Sequence, residues 1–173
     1  PEIYPFAPCD DGDQFTYYDE VREDCVCRGY GIRVSPVVWL EGVSTPGQLM
    51  RGDLYNAGLI PLTEPYTALD YAFIKGGGGE TTTPELLNPF PGNDELMAVD
   101  WVIVELRDNA DPGVVVDSRA CILRRNGVIH KATSMDAPEF HVAQGPYHVA
   151  VRHRNHLGVM TAAPITLDQP APP

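Results

Sequence analysis

The stretch VDWVIVELR, residues 99–107, decides the fold that this sequence predicts. Its side chains fall into two alternating sets, as the two faces of a β-strand require. The first set is Val99, Trp101, Ile103 and Glu105, and the second is Asp100, Val102, Val104 and Leu106. Because β-branched residues fit a pleated strand better than a helix, we interpret the stretch as a central strand.

Strand-like segments follow it towards the C-terminus. A turn at DNADPG leads into VVVDSRACILRR, and the hairpin signal RNG then precedes VIHKAT. Two further candidate strands are EFHVA and PYHVAVRHR, and the chain finishes with VMTAAPITL and the tail DQPAPP. Short strands at this spacing, without a clear amphipathic helix, predict an all-β fold, an antiparallel β-sandwich.

The N-terminal side carries weaker patterns. Residues 30–43 predict a strand interrupted at Pro36, because proline cannot donate a hydrogen bond to a sheet. Residues 48–62 mix polar and apolar positions and predict a second strand and a turn. Residues 63–98 hold no sustained period and contain GGGG, so we expect a long exposed connection there.

The composition and net charge exclude some classes of binding partner for this chain. The 173 residues are 43% hydrophobic, which suffices for one domain with a core. A formal charge of −12 repels phosphate backbones, so no nucleic acid partner is expected. No long apolar run occurs, so no membrane insertion is expected. The opening PEIYPFAP lacks the pattern of a signal peptide, and we interpret an exported chain as the mature form.

A short segment near the start, CDDGDQFTYYDEVREDCVC at residues 9–27, holds three of the four cysteines and many acidic residues. Its apolar content is too low for burial alone to stabilise it, so disulfides or a hard cation are expected to help. The cysteines lack the C-x2-C spacing of zinc sites and favour disulfides. Disulfides in turn favour an extracellular or cell-surface location.

The cysteine spacing leaves two pairings open. Cys25 and Cys27 are separated by one residue, so a bond between them would strain disulfide geometry. We expect Cys9 to pair with Cys25 or Cys27, and the remaining one to pair with Cys121. The alternative is that Cys121 is a free buried thiol.

Three aspartates of this segment are candidate ligands for calcium. Closely spaced carboxylates in a glycine-containing loop supply the oxygen atoms that calcium prefers, and we select Asp11, Asp13 and Asp19. Asp10 is expected to turn away beside Cys9. The alternative is a solvated acidic loop held by its disulfide, since the spacing is not that of an EF-hand.

The histidines form no recognisable site in the sequence. His148 and His153 are an odd number of positions apart and face opposite sides of a regular strand. His153 and His156 can meet only if the strand ends in a turn at Asn155. His141 and His148 are expected on an exposed face. None of the spacings between the histidines is diagnostic of a metal or catalytic cluster.

No enzyme motif is present either. The sequence has no G-x-S-x-G, and the GGGG run lacks the following Lys-Ser/Thr of a phosphate-binding loop. We therefore expect that the protein is not an enzyme.

The ends of the chain predict extended segments. PEIYPFAP and ITLDQPAPP are proline-rich and cannot form helices. The predicted organisation is an N-terminal tail (1–8), a Cys/Asp-rich loop module (9–29), a β-sandwich domain (30–167) and a Pro-rich C-terminal tail (168–173). Strand addition to an open sheet edge is the mechanism that uses such a tail best.

Two parts of the sequence resemble a known class of protein. The phrases VDWVIVELRD, SRACILRRNG and YHVAVRHRNHLGVMTAAPITL resemble a β-rich module that recurs in secreted and surface proteins of Bacteroidota. CDDGDxxTxxDxxxxxCxCxG, Cys9 to Gly29, resembles a cysteine and aspartate module of the same proteins. The resemblance implies an extracellular setting and transfers no settled activity. Phe15 and Cys121 depart from these modules, which indicates a rewired disulfide pattern.

The leading function class is a structural subunit of an extracellular or cell-surface assembly, such as a filament. Its partners would be other copies of the chain, contacted head to tail through Ile3, Tyr4 and Phe6. Apolar side chains on an extended tail are buried only when the tail docks on another surface.

The second class is a carbohydrate-binding or adhesive module, with glycans as partners. It requires aromatic rings exposed to a sugar. The candidates are Trp39, Trp101, Tyr17, Tyr18 and Tyr30.

Overall fold

The computed structural model describes residues 6–43 and 49–169, and strands predominate in them. The strands are β1 (Tyr17–Val21), β2 (Cys27–Tyr30), β3 (Ile32–Arg33), β4 (Ala98–Asp108), β5 (Val115–Arg124), β6 (Ile129–Lys131), β7 (Glu139–Phe140), β8 (Gly145–His153), β9 (His156–Met160) and β10 (Ile165–Leu167). The helices are short: α1 (Asp53–Asn56), α2 (Pro84–Leu87) and two 3-10 turns, Thr67–Leu69 and Asp94–Leu96.

The main sheet contains six antiparallel strands. Its order is β10-β8-β4-β5-β6, and β9 also pairs with β8, on the side that β10 occupies. Two smaller antiparallel pairs, β1 with β2 and β3 with β7, complete the fold. The predicted all-β antiparallel fold with a disulfide-linked acidic loop is confirmed.

Strand β4 is buried on both faces. Every side chain from Ala98 to Leu106 is buried, and the strand pairs with β5 on one side and β8 on the other. A strand that is apolar on both faces is stable only when both faces of its sheet are covered. Truncating one of its large apolar side chains to alanine would cost roughly 2–5 kcal/mol.

A thin second layer of strands covers one face. Val102 and Leu106 of β4 share a core with Ile32 of β3 and Phe140 of β7. The other buried members of this core include Val34, Leu40, Met50, Val104, Cys121, Leu123, Ile129, Val142, Val149, Val151 and Leu167. Strands packed on strands in this way give the sandwich arrangement that the sequence predicts.

Irregular chain covers the opposite face. Tyr66 and Leu87 pack on Trp101 and Ile103, and the Tyr66 hydroxyl donates to the carbonyl of Trp101 at 2.7 Å. The prediction that 63–98 is an exposed connection is therefore wrong for its anchoring residues, which are buried: Glu64, Tyr66, Thr82, Leu87, Met97 and Ala98. Apolar residues there contact the sheet at irregular intervals, which no periodic pattern reveals.

In the described part of the predicted second strand at 48–62, residues 49–62, no strand forms and α1 begins at Asp53. The apolar residues of this stretch serve both cores. Met50 belongs to the first core, and Ile60 belongs to the second.

The glycine run at 76–79 folds around carboxylates. The N–H of Gly78 donates to Glu80 at 2.8 Å, and that of Gly79 donates to buried Glu64 at 3.0 Å. A β-carbon on Gly77 would lie 2.0 Å from the carbonyl oxygen of Ser118, so only glycine fits there. The run is a turn that brings this segment against β5.

The N-terminal module begins with pairing inside its own chain. The N–H of Phe6 donates to the carbonyl of Val21 at 2.7 Å, and that of Val21 donates to Ala7 at 2.9 Å. Pro8 forms an antiparallel bridge with Glu20. Residues 6–8 of the predicted tail thus lie along β1.

The structure contains the disulfide Cys9–Cys27, one of the two predicted pairings for Cys9. Cys25 is an exposed free thiol, and Cys121 is a buried one. The predicted bond to Cys121 is wrong, because Cys121 lies inside β5 in the core whereas Cys25 lies in the exposed turn before β2. The alternative of a free buried thiol is confirmed.

Peptide mapping of the unreduced protein should therefore identify the Cys9–Cys27 bond alone. Iodoacetamide should label Cys25 in the native protein and Cys121 only after unfolding, because the core shields the latter thiol. A Cys25→Ser variant is the control and should show no native labelling. A second disulfide, or native labelling of Cys121, would contradict this assignment.

Candidate functional site

Three carboxylates converge in the loop before β1 and at its middle. Oxygen atoms of Asp10, Asp11 and Asp19 lie within 4.8 Å of one another. The sequence predicted Asp13 in this cluster and Asp10 outside it, and the structure exchanges the two. Asp13 faces the main domain, where its Oδ2 lies 2.8 Å from Nδ1 of His141.

These carboxylates also hold the loop in shape. Asp11 accepts hydrogen bonds from the N–H groups of Gly29 at 2.7 Å and Asp13 at 2.9 Å, and Asp19 accepts from the N–H of Asp11 at 3.1 Å. Partial burial raises the pKa of Asp11, but the hydrogen bonds from Asp13, Gly29 and Thr16 outweigh it and lower the pKa below its ordinary value.

Contacts with the main domain orient the module. Besides the Asp13–His141 contact, the ammonium of Lys75 lies 4.6 Å from the ring centre of Phe15. The N–H of Gly31, just after β2, donates to Glu139 at 2.8 Å. The acidic loop is therefore fixed against the β3–β7 side of the domain.

Calcium at this loop stays a prediction, and it is tested by thermal unfolding. Millimolar calcium should raise the melting temperature, because a ligand that binds only the folded state stabilises it by mass action. Asp19→Asn should remove the response while keeping an oxygen that accepts from Asp11. Asp24→Asn is the control, since Asp24 pairs with Arg28 outside the cluster at 2.7 Å. Identical melting in calcium and in chelator would support the solvated loop.

An apolar groove of about 440 Å³ lies between residues 33–38 and the edge of the main sheet. Among the described residues that line it, Arg33 is the one that carries a charge. The other lining residues are Val34, Ser35, Pro36, Val37, Val38, Val149, Val151, Val159, Met160, Thr161, Ile165 and Leu167.

The groove opens along an exposed strand edge. β9 and β10 follow one another along the same side of β8 and so form this edge of the sheet. Four large apolar side chains at the groove are 40–58% exposed: Val37, Val159, Met160 and Ile165. Contiguous exposed apolar residues at a sheet edge are typical of interaction surfaces.

A smaller cavity of about 250 Å³ is lined by Cys121, Glu80 and Glu139, among other residues. Burial raises the pKa of the Cys121 thiol, so it stays protonated near neutral pH and is not an activated nucleophile. Burial also raises the pKa of Glu80. Burial acts in the same direction on Glu139, but the hydrogen bonds from Lys131, at 2.6 Å, and Gly31 together with the positive charges of Lys131 and Arg33 outweigh it and lower that pKa.

A buried polar network joins β4 to the β8–β9 turn. The carboxylate of Asp100 accepts two hydrogen bonds from Arg154, at 2.8 and 3.0 Å, and lies 3.1 Å from Nε2 of His153. Nδ1 of His153 lies 2.8 Å from Nδ1 of His156, and Nε2 of His156 lies 2.9 Å from the carbonyl oxygen of Glu41.

The sequence did not identify this histidine pair as a site. The two residues meet through a turn at Arg154–Asn155, as the sequence analysis required for contact. The H-x-x-H spacing across a tight hairpin is the sequence signal that indicates this contact. The expectation that His148 lies on an exposed face is wrong, because it is buried with Nδ1 2.9 Å from the carbonyl of Thr161.

The aromatic residues predicted to bind sugars differ in how exposed their rings are. Trp101 is fully buried and its indole N–H donates to the carbonyl of Pro61, so it cannot meet a ligand. Trp39 is 49% exposed, and Tyr18 is 38% exposed. The ring of Tyr30 is covered by the guanidinium of Arg22 at 4.3 Å.

The predicted assembly residues lie at the start of the chain. Ile3 and Tyr4 are outside the described residues. Phe6 is 62% exposed although its backbone pairs with β1. Its ring is therefore available to another surface.

Comparisons with known proteins give no match. No protein-family model fits the chain, and no curated protein or solved structure is significantly similar to it. Among the described residues, no helix has the length and apolar character needed to cross a membrane.

Proposed function

We propose that this chain is a structural subunit of an extracellular or cell-surface assembly built from copies of itself. The apolar groove at the open edge of the main sheet is the observation that carries the proposal. A surface of this kind loses exposed apolar area when an extended peptide adds to the edge as a further strand.

The occupant that we propose is the N-terminal segment of a neighbouring copy. PEIYP, residues 1–5, brings Ile3 and Tyr4 as apolar anchors, and exposed Phe6 follows them. Glu2 adds one negative charge, and the described part of the groove lining carries the positive charge of Arg33. Charge and apolar character therefore match between the two surfaces.

The contact would be heterologous, because the tail of one copy meets the groove of the next. Contacts of this type repeat into a filament unless the rotation between copies closes a ring. The Cys9–Cys27 disulfide supports an oxidising, extracellular environment for such an assembly.

Sedimentation velocity and electron microscopy test this proposal. Intact protein should assemble as its concentration rises, and deletion of residues 1–5 should leave a folded monomer. This deletion spares residues 6–8, which pair with β1. Val159→Asp should also abolish assembly, because a carboxylate buried in the groove without a partner opposes docking.

Leu69→Asp is the matched control for Val159→Asp. Leu69 is similarly exposed, at 61% against 56%, but lies on the segment that covers the opposite face of the sheet. It should assemble like the intact protein. An intact protein that stays monomeric at high concentration, or a truncated one that assembles equally well, would refute the tail-in-groove contact.

A carbohydrate-binding or adhesive module is the second candidate function. The half-exposed ring of Trp39 favours it, since exposed indole faces bind sugar rings. Binding of soluble glycans to the monomer, lost in Trp39→Ala and retained in Leu69→Ala, would support this function over the first.

A further inference from the structure

We infer that His153 and His156 bind a divalent transition-metal cation of the copper or nickel type. This site is independent of the groove and of the assembly proposed above. The Nδ1 atoms of the two rings lie 2.8 Å apart, whereas the ring centres are 4.7 Å apart. The rings therefore present these nitrogen atoms to each other and do not stack face to face.

The second nitrogen of each ring fixes where its hydrogen lies. Nε2 of His153 faces the carboxylate of Asp100 at 3.1 Å, and Nε2 of His156 faces the carbonyl of Glu41 at 2.9 Å. Both oxygen atoms only accept hydrogen bonds, so both Nε2 atoms carry hydrogen. In neutral imidazoles, both Nδ1 atoms are then left with a lone pair.

Two lone pairs that face each other at this distance repel unless a cation joins them. The N–H of Asn155 donates to Nδ1 of His153 at 3.2 Å, whereas no backbone or side-chain N–H group outside the pair, among the described residues, donates to Nδ1 of His156. The joining cation is either a proton or a metal ion.

The surroundings favour a metal ion. Histidines that bind metals characteristically donate their other N–H group to a carboxylate or a backbone carbonyl. This pair has one contact of each kind, with Asp100 and with Glu41. Arg154 donates to both oxygen atoms of Asp100, and the chain carries a net charge of −12 that attracts cations.

The separation of the nitrogen atoms indicates which metals fit. With metal–nitrogen bonds of about 2.0–2.1 Å, a 2.8 Å separation gives a roughly right-angled N–metal–N arrangement. Tetragonal geometry with nitrogen and oxygen ligands is typical of Cu²⁺ and Ni²⁺, whereas Zn²⁺ prefers wider tetrahedral angles. His156 is only partly buried, so water has access to the remaining positions.

Copper titration of tag-free protein at neutral pH tests the site. Calorimetry should show one Cu²⁺ ion per chain, and electron paramagnetic resonance should show coupling to imidazole nitrogen. Ni²⁺ should bind more weakly, as its place in the Irving–Williams order requires. His156→Gln should lower copper affinity by at least about tenfold, because removing a direct ligand costs at least as much as an outer-shell change, which costs about 10–100-fold.

Two controls separate this site from other metal ligands. His141→Gln removes a half-exposed histidine elsewhere, and Asp19→Asn disrupts the acidic cluster, so both should leave copper affinity unchanged. Copper binding that survives His156→Gln would overturn the assignment. Absence of copper binding in the intact protein would also overturn it, and the joining cation would then be a proton.

Discussion

The fold depends on burying β4 on both of its faces. A sheet with two apolar faces needs two covers, and this chain has few regular elements to supply them. The β3–β7 pair and the chain around it cover one face, while irregular chain anchored by Tyr66 and Leu87 covers the other. The second cover depends on individual anchors because it has no strand ladder.

Buried polar groups restrict where the covering segments can pack on the main sheet. Glu105, fully buried in β4, accepts from the hydroxyl of Tyr71 at 2.6 Å and from Arg107 at 2.8 Å. Arg124, fully buried in β5, donates to the carbonyls of Leu86 at 2.6 Å and Leu96 at 3.2 Å. Leaving a buried charge without such partners would cost roughly several kcal/mol of folding free energy. These hydrogen bonds therefore hold the covering segment against the sheet.

The proposed functions use the places where the covers end. The thin strand layer does not reach across β9 and β10, and this leaves the apolar groove open at the sheet edge. The β8–β9 turn stands above buried Asp100, which orients the histidine pair. The acidic loop is a separate unit that the Cys9–Cys27 disulfide closes and the Asp13–His141 contact joins to the domain. The proposed assembly contact and the proposed metal site would thus use different residues of β8 and β9.

The sequence by itself predicted β4 to β8, the hairpin at Asn126–Gly127 and an acidic module held by a disulfide from Cys9, but not the separate strands β9 and β10. Alternation of side chains and turn residues are local signals, so they are legible without a structure. Only the tertiary structure decided the cover formed by 63–98, the free thiol of Cys121 and the exchange of Asp13 for Asp10. It also decided the meeting of His153 with His156 over Asp100. These outcomes depend on contacts between residues distant in sequence, such as Asp13 with His141 and His153 with Asp100. Local sequence patterns do not reveal such contacts.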